Sequence, residues 1–205
     1  MGLGDRSVAI AAALAATFWG FAAEAAFFGM PRTLKQQVVR LQFDGPAAAP
    51  MAHARFCLQY RDQCKVRRTV FRGGPAKLTA ERWAELNRVN TEVNRAIRPE
   101  PNTLGVAYER WLIGPSAGDC NDYAVTKRHE LIRRGWAARN LLLAEVVVAS
   151  GEHHLVLVIR TTDGDVVADN LNANIRPLTA PRYRWLRAQS PVNPLFWTAI
   201  SRLSA

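Results

Sequence analysis

Cys120 sits in the stretch "GPSAGDCNDYAVTKRHELIRRGW", residues 114–136, with Asp119 before it and Asn121 and Asp122 after it. The residues that follow predict a helix reaching about Arg134, with Gly135 in the place of its C-terminal cap. The thiol therefore falls at a helix N-terminus. There the helix dipole and unpaired backbone N–H groups favour the thiolate, which is the nucleophilic form. The carboxylates beside Cys120 oppose this by raising the thiol pKa, so an imidazole is needed to tip the balance.

The chain has four histidines. His53 lies in a segment of irregular pattern, and His129 is more than two turns along the cysteine's own helix. His153 and His154 open the stretch "HHLVLVIR", whose Val, Leu and Ile content predicts a buried strand. Alternation groups His154 with Val156 and Val158 on one face, and His153 with Leu155 and Leu157 on the other. Only one of the two histidines can turn toward the helix.

The next strand, "DVVADNL", separates them. A four-residue loop at Thr161–Gly164 pairs Arg160 with Asp165 and hence Val156 with Asp169. Asp169 then shares a face with His154, on a diagonal of roughly 7–8 Å between Cα atoms. A two-residue turn at Asp163-Gly164 keeps the face at longer range. A three-residue loop would flip the face and bring in Asn170 instead. The even loop is the expectation, and it makes a catalytic triad: Cys120 as nucleophile, His154 as base, Asp169 as the orienting acid. The Cys120 N–H is a natural oxyanion donor. The same residue types would also suit an inert buried thiol beside a satisfied core His–Asp pair.

The elements that must hold these residues follow from periodicity. Thr79 predicts a helix cap with Glu81 in the first turn. Trp83, Leu86, Val89, Val93 and Ile97 form one apolar stripe, which Pro99 ends. "LLLAEVVVA" and "HHLVLVIR" read as central strands. The tail "YRWLRAQSPVNPLFW" is proline-broken and reads as loops around the sheet, and residues 26–55 as an irregular arm. No repeat or low-complexity tract interrupts the remainder, so residues 56–205 form one domain.

Composition sets the context. The 205 residues are 49% hydrophobic, with 27 Lys plus Arg against 17 Asp plus Glu, a formal charge of +10. The arginines are dispersed and no dense basic run is interleaved with aromatics, so no nucleic-acid partner is expected. Residues 1–25 carry Arg6, an apolar run from Val8 to Ala23 and an Ala23-Glu24-Ala25 cleavage pattern. They predict a signal peptide or N-terminal anchor and a periplasmic or secreted protein. In that compartment Cys57 and Cys64 are expected to form a disulfide. That leaves Cys120 as the odd thiol among three cysteines.

The "GDC-x-DYA…GW" and "H-x-V-L…DN" blocks, with the aromatic tail, resemble the bacterial transglutaminase-like cysteine peptidases over roughly residues 55–200. The LapG-type periplasmic proteases, which clip biofilm adhesins, belong to that group. The resemblance implies an α+β, papain-like fold in which a cysteine-bearing helix packs on an antiparallel sheet. It implies thiol-protease activity carried by Cys120, His154 and Asp169. It implies no required cofactor beyond calcium, whose family ligands correspond to Asp119, Asn121 and Asp122. Asn121 replaces the usual Glu, which weakens that site, although hard oxygen donors remain. Implied partners are a protein substrate such as a cell-surface adhesin, and a membrane-anchored regulator. The expected function is an exported peptidase working through an acyl-enzyme. The alternatives are an acyl transferase or deamidase acting on glutamine side chains, and a non-catalytic periplasmic binding protein.

Overall fold

The computed structural model describes residues 38–66, 73–103, 105 and 107–204. The expected signal peptide or anchor, residues 1–25, and the first part of the arm lie outside the described residues. The fold is α+β. Strands β1 (Arg40–Ala47), β4 (Leu141–Val147), β5 (His153–Ile159), β6 (Val166–Ala168), β7 (Arg176–Pro177), β8 (Arg184–Gln189) and β9 (Trp197–Ser204) form one sheet. Its order is β1-β9-β8-β4-β5-β6-β7, and every neighbouring pair is antiparallel. Helices α1 (Met51–Gln59), α2 (Arg61–Cys64), α3 (Ala80–Ala96) and α4 (Cys120–Arg133) accompany it. The short strands β2 (Arg98–Pro99) and β3 (Ala117–Gly118) form a parallel pair of their own.

Alternation along β4 and β5 separates two apolar layers. Leu141, Leu143, Leu155, Leu157 and Ile159 pack with α3 and α4 residues such as Leu86, Val89, Ala124, Val125 and Leu131. Leu142, Ala144, Val146, Val156 and Val158 build the other layer with Leu41, Val167, Ala188 and Ile200. Both faces of β4 and β5 are therefore covered, which is why their sequences are apolar throughout.

Helix α3 begins at Thr79, whose Oγ1 accepts the Arg82 N–H at 3.3 Å. Leu86, Val89, Val93 and Ile97 are buried as the stripe predicts, but Trp83 is 41% exposed. The stripe enters the core only after its first turn. Helix α4 ends at Arg133, and Gly135 follows at φ +84°, the left-handed conformation that closes a helix.

Two expectations are corrected. Within the arm predicted as irregular, residues 40–47 are β1, which pairs with β9, and helix α1 begins at Met51. The aromatic tail is not looped: it supplies β8 and β9, with Pro191 and Pro194 in the connection between them. The prolines mark the turn of a hairpin, where their missing N–H groups leave the ladder intact.

Candidate active site

The N-terminus of α4 carries Cys120. Asp119 is its N-cap, and its Oδ1 accepts the Asn121 N–H at 2.9 Å. Asp122 reaches back to accept the Asp119 N–H at 3.1 Å, completing a capping box. The second Asp122 oxygen accepts the Leu112 N–H at 2.7 Å, which ties the preceding loop to the helix. Gly118 packs directly on Asp122: a Cβ at that position would meet its Cγ at 2.8 Å.

Strand β5 carries the histidines, and β6 is joined to it by the four-residue loop. The register pairs Leu157 with Ala168, Val158 with Val167 and Ile159 with Val166. Continued outward, it sets Val156 opposite Asp169, as the even-loop argument requires. The two side chains meet: His154 Nε2 and Asp169 Oδ1 are 2.8 Å apart, at 7% and 3% exposure. His153 turns away, stays exposed and pairs with Glu145 at 2.5 Å. His129 bonds to Gln63, and His53 lies in the core.

The thiol lies at the helix tip, and its link to this strand runs through Leu155, the residue next to His154. His154 shares its face with Val156 and Val158, whereas the body of α4 packs over Leu155 and Leu157. Alternation along the strand therefore does not by itself bring His154 under the helix. Cys120 lies in the first turn, and its sulfur accepts the backbone N–H of Leu155, the residue next to His154. Burial pushes the Cys120 thiol up to about 12, the Leu155 N–H opposes this, and the charges of Asp119, Glu109 and Asp169 add to the rise. The resting sulfur is a neutral thiol that needs a base to become a nucleophile.

Asp169 is held on several sides. Burial alone would raise its carboxyl, but the His154 hydrogen bond and charge, the Tyr183 hydroxyl and the Leu171 N–H hold it below the ordinary range. Tyr183 donates to Oδ2 and lies edge-on to the imidazole, 6.1 Å between centroids. Asn94 Nδ2, from α3, donates to the Asp169 carbonyl at 3.0 Å.

The acids around the thiol do not all face a cation. Both Asp122 oxygens are engaged by backbone N–H groups. Burial, followed by the charges of Asp119 and Glu109, moves its carboxyl up to about 6. Its role is to hold the helix start. Asn121 Nδ2 donates at 2.5 Å to Glu109 Oε1, which also accepts the Trp111 indole N–H at 2.9 Å. The Asn121 carbonyl is not used in that bond. The hard donors gathered here are Asp119, Asn121 and Glu109, so a carboxylate from an earlier loop stands beside the amide at position 121. Glu109 is raised above its ordinary value by burial and by its acidic neighbours Asp119 and Glu145. These oxygens are of the type that a hard divalent cation takes.

Sequence reasoning missed Glu109 and Tyr183. Both lie in stretches without a helical or strand period, where spacing gives no position. Cys57 and Cys64 are bonded as expected, with Cα atoms 5.5 Å apart. With His53 they lie close enough for a metal, but the two sulfurs are spent on each other.

Residues 43–204 match a family described as bacterial transglutaminase-like cysteine proteinase. Among solved structures, calcium-bound LapG of Legionella pneumophila is 20% identical, with a TM-score of 0.47, over 55% of this chain and 66% of that one. Two other LapG structures from that organism, one EGTA-treated, are each 21% identical at a TM-score of 0.45. Those matches cover 51% of this chain and 63% and 61% of theirs. The matched part thus spans just under two thirds of the LapG chains. No curated protein sequence matches this chain.

Proposed function

The chain belongs to the bacterial transglutaminase-like cysteine proteinases, and from that premise we propose an exported cysteine peptidase that hydrolyses a protein substrate through Cys120, His154 and Asp169. The observation that carries this reading is the buried 2.8 Å contact of His154 Nε2 with Asp169, beside a thiol held by the neighbouring Leu155 N–H. Asp169 occupies Nε2, so Nδ1 is the nitrogen left to exchange protons with the sulfur. In the first step the Cys120 proton passes to Nδ1 while sulfur bonds to the scissile carbonyl carbon. The tetrahedral adduct places its oxyanion near the Cys120 N–H, which the capping box does not use. Collapse breaks the C–N bond, and the imidazolium gives its proton to the departing amine. Water then attacks the thioester and loses a proton to His154. Breaking the C–S bond releases the acid and restores the thiol. Throughout, ionised Asp169 keeps the Nε2–H tautomer and stabilises the imidazolium.

Asp119, the Asn121 carbonyl and Glu109 would hold a calcium ion. Bound there, calcium supplies positive charge that offsets the carboxylates raising the thiol pKa. Isothermal titration with calcium should give heat that Glu109→Gln diminishes. Unchanged heat in that variant would remove Glu109 from the site.

The proposal is tested by incubating the purified protein with a proteome-derived peptide library and reading the products by mass spectrometry. New peptide termini that disappear with Cys120→Ala are the expected outcome. Glutamines converted to glutamate without chain cleavage would assign a deamidase instead. An unchanged library would refute both enzymatic readings.

A further inference from the structure

Lys127 is 1% exposed, which is rare for a lysine, and the proposed reaction steps do not use it. It lies on α4 seven residues beyond Cys120, and so on the same helix face. Its ammonium is 5.9 Å from the centre of the Tyr123 ring, one turn earlier. Among the described residues it makes no hydrogen bond or direct ion pair. Glu130, three residues on, is spent on Arg133 and Arg134. Asp122 is held by backbone N–H groups. A buried cation in that position is retained only if a charge at longer range offsets its desolvation.

Asp169 supplies that charge. Burial pushes the Lys127 pKa down to about 7, and the Asp169 carboxylate opposes the fall. The packing brings the two segments together independently. Ala168, the residue before Asp169, shares an apolar cluster with Tyr123 and Ala124 of α4. Tyr123 in turn donates its hydroxyl to the Ile97 carbonyl at the end of α3, at 2.5 Å. From α3, Asn94 Nδ2 donates to the Asp169 carbonyl at 3.0 Å and Asn90 Nδ2 to the Ala173 carbonyl at 2.8 Å. The segment that carries Asp169 is therefore tied to α3 while the residue before it packs on α4. The Oδ1 atoms of Asn90, Asn94 and Asn170 are buried without a donor, so this seam holds acceptors that favour positive charge.

We propose that Lys127 is a positioning residue for the thiol reaction, the buried counter-charge of Asp169. The proposal rests on the Cys120–His154–Asp169 reading. In that reading His154 is neutral at rest, so hydrogen bonds alone do not balance a carboxylate that is 3% exposed. A cation on the thiol's own helix supplies the balance without touching substrate. Among the described residues, the titratable or charged groups that act on Lys127 are Tyr123 on its own helix and Asp169 beyond β6. The strands beneath α4 present Leu155, Leu157 and Ala168, which carry no charge.

The test begins with the unaltered protein carrying carbon-13 at the lysine ε position. The chain has four lysines, so few resonances need assignment, and Lys127→Arg identifies the one in question. That resonance is expected to titrate far below the ordinary lysine range, and its midpoint should fall further in Asp169→Asn. Four ordinary titrations, or a midpoint indifferent to Asp169→Asn, would overturn the proposal. The second measurement is the pH dependence of epoxide labelling at Cys120. Lys127→Met should lower the rate on the acid limb roughly tenfold, equivalent to moving that limb up by about one pH unit. Lys127→Arg should restore it. A loss of equal factor at every pH would mark Lys127 as structural only and overturn its positioning role. Slow labelling of the unaltered protein, indifferent to His154→Ala, would instead remove the triad, and this proposal with it. Rapid labelling with an unmoved acid limb would remove Lys127 alone.

Discussion

Asp169 receives the His154 Nε2–H, the Leu171 N–H and the Tyr183 hydroxyl on two oxygens. Tyr183 touches neither thiol nor substrate in this account, so it is a positioning residue acting through the carboxylate. Tyr183→Phe should lower kcat roughly tenfold, the scale of one hydrogen bond to a charged group, with KM little changed. The same variant removes a donor that favours ionised Asp169, so the acid limb of the pH–rate profile should move to higher pH. A rise in KM alone, with an unmoved acid limb, would mean that Tyr183 shapes the cleft instead. The His154–Asp169 contact was readable from the sequence because loop parity decides which face an aspartate takes. The partners that tune it were not. Tyr183 and Glu109 come from aperiodic segments, and their positions depend on how distant chain folds back. Asn121 was readable as a departure from the family pattern, but its hydrogen bond to Glu109 was not.

The start of α4 concentrates the local constraints. Gly118, the Asp119–Asp122 capping box and the Leu112 N–H interlock, so the loop before the helix and its first turn move together. Gly118→Ala drives a Cβ into the Asp122 carboxylate and should cost about 1–3 kcal/mol of stability, the range for overpacking. A thermal midpoint equal to that of the unaltered protein would show that the turn can relax. Cys120→Ala removes only sulfur from the helix start and should leave the midpoint near its original value, which separates loss of activity from loss of fold. Helices α3 and α4 and strands β4 and β5 were readable because each carries one sustained period between clear stops. Strands β1, β8 and β9 were not. Pro46 within β1, the prolines between β8 and β9 and half-exposed faces weaken alternation, and it is pairing with one another that makes them strands.

At the scale of the whole molecule, His53 joins elements far apart in the chain. It is 1% exposed on α1, and its ring nitrogens meet Gln189 of β8 at 3.1 Å and Trp197 of β9 at 3.2 Å. Burial, and then the Arg128 charge, lower its pKa to about 4. The folded state therefore holds it neutral, while the unfolded chain protonates it near 6.5. Its contribution is intact above pH 6.5 and is lost as pH falls toward 4, on the order of 3 kcal/mol in total. The unfolding free-energy difference between the unaltered protein and His53→Gln should shrink by that amount across the window. A difference independent of pH would contradict a neutral buried imidazole. The strand order β1-β9-β8-β4-β5-β6-β7 was beyond sequence reasoning, since nothing local records that the two ends of the domain pair. The central claim spans this scale too: a helix tip, a strand and the residue after the next strand make one reactive centre. The most direct measurement is the second-order rate at which a thiol-directed epoxide labels Cys120 at neutral pH, before and after His154→Ala. Labelling much faster than for a model thiol, falling to the model rate in the variant, is the predicted result. A slow rate that His154→Ala leaves unchanged would contradict the account.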